Sequence, residues 1–285
     1  MVDLLLMTKP ITRRKFLSVA AGTLASGMIG GGIGYSLVEA HTIGVNAVTI
    51  PLENLPSAFH GLRIALLTDL HHGYFITREH IREAMELTTT LEPDLVLLAG
   101  DYVHNNSNYI VAVMEELGAL RAPLGVFAVQ GNRDIRINRM MTTQSLAQNN
   151  ITELTNRGLW IQREESRLWL CGMDDCNAGT PDMQAALKGA SSDAFVMALM
   201  HNPHYVDFLH DPRIGLVLCG HTHGGQINLP LLGRPFLPAG CEKYPCGLIQ
   251  GPMSKVFVST GIGTVFPPMR YHCPPEIALL TLAAS

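Results

Sequence analysis

Short, nearly continuous apolar runs recur along the chain, and most of them stop at a polar residue. Leu62 to Asp69, Leu95 to Asp101, Gly125 to Asn132, Phe195 to His201 and Leu216 to His221 are built mainly from Val, Leu, Ile, Ala, Met and Phe. Such runs predict buried core strands. Between the early ones, apolar positions return at helical spacing over Thr77 to Thr89, with Thr77 as a cap, and over Ile110 to Leu120. The first half therefore alternates strand and helix as layered α/β proteins do. The second half is richer in strands, at Arg167 to Met173, Lys255 to Thr260 and Glu276 to Leu282, with short helices at Met183 to Leu187 and Pro203 to Leu209. The expected fold class is α/β with a mixed, layered sheet, and no internal repeat, low-complexity tract or second linker interrupts it.

The first forty residues follow a different pattern. Thr12-Arg13-Arg14-Lys15-Phe16-Leu17 precedes an uncharged stretch from Phe16 to Val38, and Val38-Glu39-Ala40 then offers small residues suited to cleavage. This looks like a twin-arginine export signal, which implies the export machinery as a partner and a location outside the cytoplasm. The stretch is also long enough to cross about 30 Å of hydrocarbon. Release into the periplasm and anchoring to the outer face of the cytoplasmic membrane both stay open. An ordinary N-terminal helix is the competing reading, and Gly30-Gly31-Gly32 argues against it, because glycine is poor helix material. The organisation expected is a signal or anchor over residues 1–40 and one domain over 41–285.

Composition narrows the partners. The 285 residues are 47% hydrophobic and 15% charged, with a formal net charge of −4. Phosphate-backbone binders usually show basic clusters, so no nucleic acid partner is expected. Six cysteines, at 171, 176, 219, 241, 246 and 273, admit disulfides in an oxidising compartment. Cys241 and Cys246 are the foremost pair, whereas folding before export in a reducing cytosol would leave free thiols. No CxxC pattern supports a zinc knuckle.

Chemistry gathers at the carboxyl ends of the predicted strands, where ligands bind in open α/β sheets. These ends deliver Asp69-Leu70-His71, Gly100-Asp101, Gly131-Asn132-Arg133-Asp134, His201-Asn202 and Gly220-His221-Thr222-His223. Carboxylate, imidazole and amide oxygen together suit Mn²⁺ foremost, with Fe²⁺ or Zn²⁺ as alternatives. Seven candidate ligands exceed one coordination shell, so two divalent metal ions are expected, with a carboxylate between them as for in-line displacement at phosphorus. Glycines 220, 224 and 225 predict tight turns needing positive φ.

The order Asp-x-His, Gly-Asp, Gly-Asn-x-Asp, a lone His and Gly-His-x-His over residues 62 to 223 resembles the signature of the calcineurin-like metallophosphoesterases. The resemblance implies a four-layer α/β/β/α sandwich with mixed sheets. It implies Asp69, His71 and His223 around one metal, Asn132, His201 and His221 around the other, and Asp101 bridging. The implied reaction is hydrolysis of a phosphodiester or pyrophosphate by a metal-bridged hydroxide attacking in line. The runs GHTHGGQINLP from Gly220, STGIGT from Ser259 and CPPEI from Cys273 resemble the exported or membrane-associated YkuE/YaeI-like phosphodiesterase branch.

One position departs from the family pattern. Arg133 stands where the family usually has a histidine that protonates the leaving oxygen. A guanidinium stabilises negative charge but does not give up a proton near neutral pH. Substrates with a good leaving group, pyrophosphates or aryl phosphodiesters, are therefore expected. His72, His104 and His272 are candidates for a replacement acid. Asp134 is expected to orient Asn132 or a ligating imidazole, or else to cap a helix or turn. Arg270 reads either as a phosphate clamp or as half of a surface salt bridge. The apolar loop Leu229 to Pro238 reads as a site for an acyl chain or bilayer surface, hence a lipid- or envelope-linked substrate, or as a packed lid. Two alternatives remain: a UDP-2,3-diacylglucosamine pyrophosphatase, whose family also carries Gly-Asn-Arg-Asp, and a catalytically silent metal-binding scaffold.

Overall fold

The structure is a computed structural model that describes residues 30–285. Arg13-Arg14 and the apolar stretch up to residue 29 lie outside the described residues. Residues 30–39 form a helical segment, α1. The glycine run is thus helical after all. The distal end of α1 is held by tertiary contacts, which outweigh low propensity in most protein helices. Among the described residues no helix is long and apolar enough to cross a membrane.

Twelve strands follow in two six-stranded sheets. The first sheet runs β1 (Gly44–Leu52), β12 (Glu276–Ala284), β2 (Arg63–Leu67), β3 (Leu95–Leu98), β4 (Val126–Ala128) and β5 (Thr152–Glu153). β2 through β5 are parallel, β12 is antiparallel to β2, and β1 lies parallel to β12. The second sheet runs β10 (Gly247–Gln250), β11 (Lys255–Val258), β9 (Ile214–Cys219), β8 (Val196–Leu199), β7 (Ser166–Gly172) and β6 (Arg157–Arg163). Its four central strands are parallel, with antiparallel β10 and β6 at the edges.

Burial explains why the core strands read as continuous apolar runs. Ile64 and Leu66 of β2 and Leu216 and Leu218 of β9 enter one cluster between the sheets. The alternate residues Ala65 and Leu67 face α2 (Arg78–Thr90), α3 (Ile110–Leu117) and α4 (Asn132–Gln148), while Val217 and Cys219 pack in a third cluster with α5 (Met183–Ala186). A strand covered on both faces has no polar side to show. The result is the four-layer α/β/β/α sandwich with mixed sheets.

The sequence pattern missed β1, the short β5, β6, β10 and the 17-residue α4. β1 and β6 carry polar or half-exposed residues at alternate positions, and α4 is polar over most of its length and broken by non-helical backbone at Asn138. The expected strand Gly125 to Asn132 ends at Ala128 because Asn132 already starts α4. All six cysteines are free, so the Cys241–Cys246 pairing is not formed; Cys241 is buried, and burial pushes its thiol up to about 12.

Candidate metal centre

Each core strand stops short of its polar residue and hands it to a tight turn. Asp69 and His71 follow β2, Asp101 follows β3, His201 follows β8, and His221 and His223 follow β9. Backbone bonds stitch these turns together: Asp69 N donates to Gly100 O at 2.9 Å, His71 N to Asp101 O at 3.0 Å, and Gly220 N to His201 O at 3.0 Å.

The side chains converge in two groups, Asp69 with His71 and His223, and Asp101 with His201 and His221, each with donor atoms within 4.8 Å of one another. Asp101 Oδ2 lies between them, 3.6 Å from His71 Nε2 and 3.5 Å from His201 Nε2. His71 Nε2 and His223 Nε2 stand 3.0 Å apart, as do His221 Nδ1 and His201 Nε2 at 3.1 Å. His201 Nδ1 is 2.8 Å from the Ala99 carbonyl oxygen. In the neutral ring that bond places the proton on Nδ1 and leaves Nε2 as a ligand lone pair.

The donor set fits divalent cations. Asp69 Oδ1 and Asn132 Oδ1 are buried with no hydrogen-bond partner, a costly condition unless something else satisfies them. Asn132 opens α4 beside Arg133, whose amide donates to Asp101 Oδ1 at 2.8 Å. Five of the six clustered residues, Asp69, His71, Asp101, His221 and His223, have φ between 48° and 71°. Left-handed backbone is uncommon for residues with a side chain and concentrates at functional sites.

Glycines make the close approaches possible. Gly224 and Gly225 have the expected positive φ, but Gly220 does not. Gly220 is needed for space, since a Cβ there would stand 2.1 Å from Thr68 Oγ1 and 2.4 Å from Asp69 Oδ2.

Asp134 is fully buried. Its carboxylate accepts from the amides of Asp101 (2.8 Å), Tyr102 (2.9 Å) and Gly131 (2.9 Å). It thus caps the start of α4 through Gly131 N and fixes the backbone that presents Asp101, rather than a ligating imidazole or the Asn132 side chain. Burial and the Asp101 charge raise its pKa, while the amide donors pull the other way. Burial also opposes ionisation of Asp69 and Asp101, yet neighbouring imidazoles win: Asp69 is held well below the usual carboxylate range and Asp101 at about 2. Burial disfavours imidazolium at His201, but Asp101 and Asp69 outweigh it and raise that pKa. Burial and the charge on His201 push His221 down to about 4.

Of the three histidines considered as a replacement acid, only His104 stands beside the cluster. Its ring centroid is 5.6 Å from that of His71, and burial, then His71 and Arg133, lower its pKa to about 4. His72 is buried, with Nδ1 3.0 Å from Ile76 O, and His272 packs on Tyr271 and Tyr35. Arg270 is neither a phosphate clamp nor a surface ion pair. Its guanidinium is wholly buried; Nη1 and Nη2 donate to the carbonyls of Thr260, Gly261, Gly263 and Cys273, Nη2 lies 3.4 Å from His223 Nδ1, and Nε has no partner.

Sequence reasoning passed over Thr68, whose hydroxyl donates to Asp69 Oδ2 at 2.8 Å. It also passed over Asp175, buried with Oδ2 unpartnered and its charge acting on His201. Asp175 was findable, because it follows β7 at the same carboxyl edge. In the loop after the metal turn, Leu231 and Leu232 are 106% and 77% exposed, so these residues do not pack as a lid or core.

Comparison with known proteins falls on the same residues. A profile of the calcineurin-like phosphoesterases matches residues 62–225. A Bacillus subtilis protein described as uncharacterized metallophosphoesterase YkuE is 31% identical, covering 97% of this chain and 99% of its own. Phosphodiesterase YaeI of Escherichia coli is 31% identical over 95% of this chain and 99% of its own. A Danio rerio transmembrane protein with metallophosphoesterase domain is 31% identical over 82% of this chain and 56% of its own.

Proposed function

The chain belongs to the calcineurin-like phosphoesterases and is a metal-dependent phosphoesterase, and we propose that it hydrolyses phosphodiester or pyrophosphate bonds at a dinuclear centre. The observation that carries the dinuclear reading is Asp101, whose Oδ2 stands within 3.6 Å of an imidazole nitrogen from each ligand group. Asp69, His71 and His223 would hold one ion, and Asn132, His201 and His221 the other, with Asp101 between. Mn²⁺ is the first choice for this mixture of oxygen and imidazole donors. The ions supply the positive charge that makes water a nucleophile near neutral pH and that neutralises phosphoryl oxygens.

The protein's own groups set the rest. Asp134 and Thr68 hold the two carboxylates in place. Arg133, half-exposed beside the cluster, offers guanidinium donors to non-bridging phosphoryl oxygens. His104, with its pKa lowered to about 4, is neutral at pH 7 and so holds no imidazolium proton to give to a leaving group. With no good proton donor on this wall, the site favours leaving groups that depart as stable anions. YaeI is named a phosphodiesterase, which agrees with a diester substrate.

The exposed Leu231, Leu232 and Phe236 beside the metal turn support a lipid- or envelope-linked phosphoester. The twin-arginine sequence supports export, with the site on the outer side of the membrane. Metal analysis together with turnover of bis-p-nitrophenyl phosphate tests the central claim. Two ions per chain and hydrolysis that chelation abolishes are expected; two ions with no turnover of any phosphoester would favour a silent scaffold.

A further inference from the structure

The end of α1 is joined to the back of the metal centre by specific bonds. Both carboxylate oxygens of Glu39 are used: Oε2 accepts from His272 N at 3.0 Å and Oε1 from Cys273 N at 2.8 Å. Ser36 O accepts from Arg270 N at 3.0 Å, and Tyr35 packs edge-on against Tyr271 with ring centroids 5.8 Å apart. Ser36, Glu39 and Ala40 are buried, Ala40 completely.

The strap they hold, residues 270–274, lies directly behind a ligand. Arg270 Nη1 donates to Cys273 O at 3.1 Å, and Arg270 Nη2 approaches His223 Nδ1. The Cys273 thiol donates to His223 O at 3.2 Å. A short chain of contacts therefore runs from Glu39 through the Cys273 backbone to His223. Partners one step removed from a ligand orient it, and their loss commonly weakens metal binding.

We infer that residues 36–40 are a built-in brace of the metal centre, retained in the working protein, with Glu39 a positioning residue for His223. Val38-Glu39-Ala40 satisfies the small-residue pattern for cleavage, but tolerance to cutting follows burial and hydrogen bonding of the backbone concerned, not its sequence alone. Here the segment is the end of a helix, its carboxylate is engaged and its alanine has no exposure. A protein folded before export presents no extended strand there for a peptidase. Retention of residues 36–40 excludes a cut at Val38-Glu39-Ala40 and moves any processing to a site before Ser36. The effect on His223 rests on the metal reading above; retention does not.

Two measurements on the full chain decide it. Intact mass and N-terminal sequencing of the protein recovered from producing cells are expected to place the mature N-terminus before Ser36. An active protein beginning at His41 would overturn the inference. Stepwise Mn²⁺ binding followed by electron paramagnetic resonance is expected to show one of two steps weakened about 10–100-fold in Glu39→Ala, the other unchanged, with a smaller shift of that same step in Glu39→Gln, which keeps one acceptor. Wild-type binding at both steps in both variants would refute the positioning role. No Mn²⁺ uptake by the wild-type chain would instead refute the dinuclear reading, with the N-terminal result still decisive for retention.

Discussion

The two sheets make unequal contributions to the centre. The first supplies Asp69, Asp101 and the Asn132 amide, with His71 as its one imidazole among the seven; the second supplies only imidazoles, His201, His221 and His223. Neither edge is a site alone. Each group takes ligands from both, since His223 completes Asp69 and His71, and Asp101 completes His201 and His221. The ligand set is therefore assembled by packing the sheets together, and the cluster holding Leu66, Leu97, Leu199 and Leu218 between them sets the spacing of their edges.

The sharpest way to break this division is to remove the carboxylate shared across it. Asp101→Asn is expected to lower kcat on bis-p-nitrophenyl phosphate by about 10³-fold, the order expected when several kcal/mol of charge stabilisation at a metal site are lost. Circular dichroism should show a folded chain. A loss under tenfold would mean that the two groups act independently.

Acid separates the donors by type. In the metal-free chain His221 and His104 have pKa values lowered to about 4, against about 6.5 when unfolded. The unfolded chain then binds more protons between these values, so stability present at neutral pH is lost as pH falls from 6.5 towards 4. Asp101, at about 2, adds a further loss below the unfolded carboxylate value near 4. His201, raised, acts oppositely, its contribution vanishing as pH rises through its folded value. Asp134, raised to about 8, opposes the decline in the same sense as His201. Urea midpoints at pH 7, 6 and 5 should decline stepwise; a flat profile would show that the opposing effects of His201 and Asp134 cancel the decline, and a rise towards acid that they dominate it.

The smallest effect is expected at the rim. Arg133→His should leave aryl diester hydrolysis within a few-fold and shift the aryl-to-alkyl rate ratio towards alkyl by about tenfold, below the roughly 10²–10⁴-fold of a fully effective general acid. An unchanged ratio would remove Arg133 from the account of leaving-group preference.

Much of the site was legible because its residues sit at the ends of apolar runs, where chain connectivity alone orders them. Asp175 obeys the same rule and was missed because the β7 end was not followed outwards. Arg270 was misread for a different reason. Its residue type alone holds no clue that carbonyls of Thr260, Gly261 and Gly263 would surround it, since those contacts come from the loop between β11 and β12 closing on itself. α4 was invisible because its polar composition hides the few positions that pack, Thr142, Ser145 and Leu146.

The sequence by itself determined the alternation of layers, the order of the ligands and the cationic demand of seven such donors, because apolar periodicity and donor chemistry are local properties. Only the tertiary structure decided which donors cluster together, that Asp101 lies between the groups, and that Glu39 bonds to the strap behind His223. Those are distances between residues as far apart as 39 and 273, fixed when the two sheets close on a common core and a helix end docks on the strap behind His223.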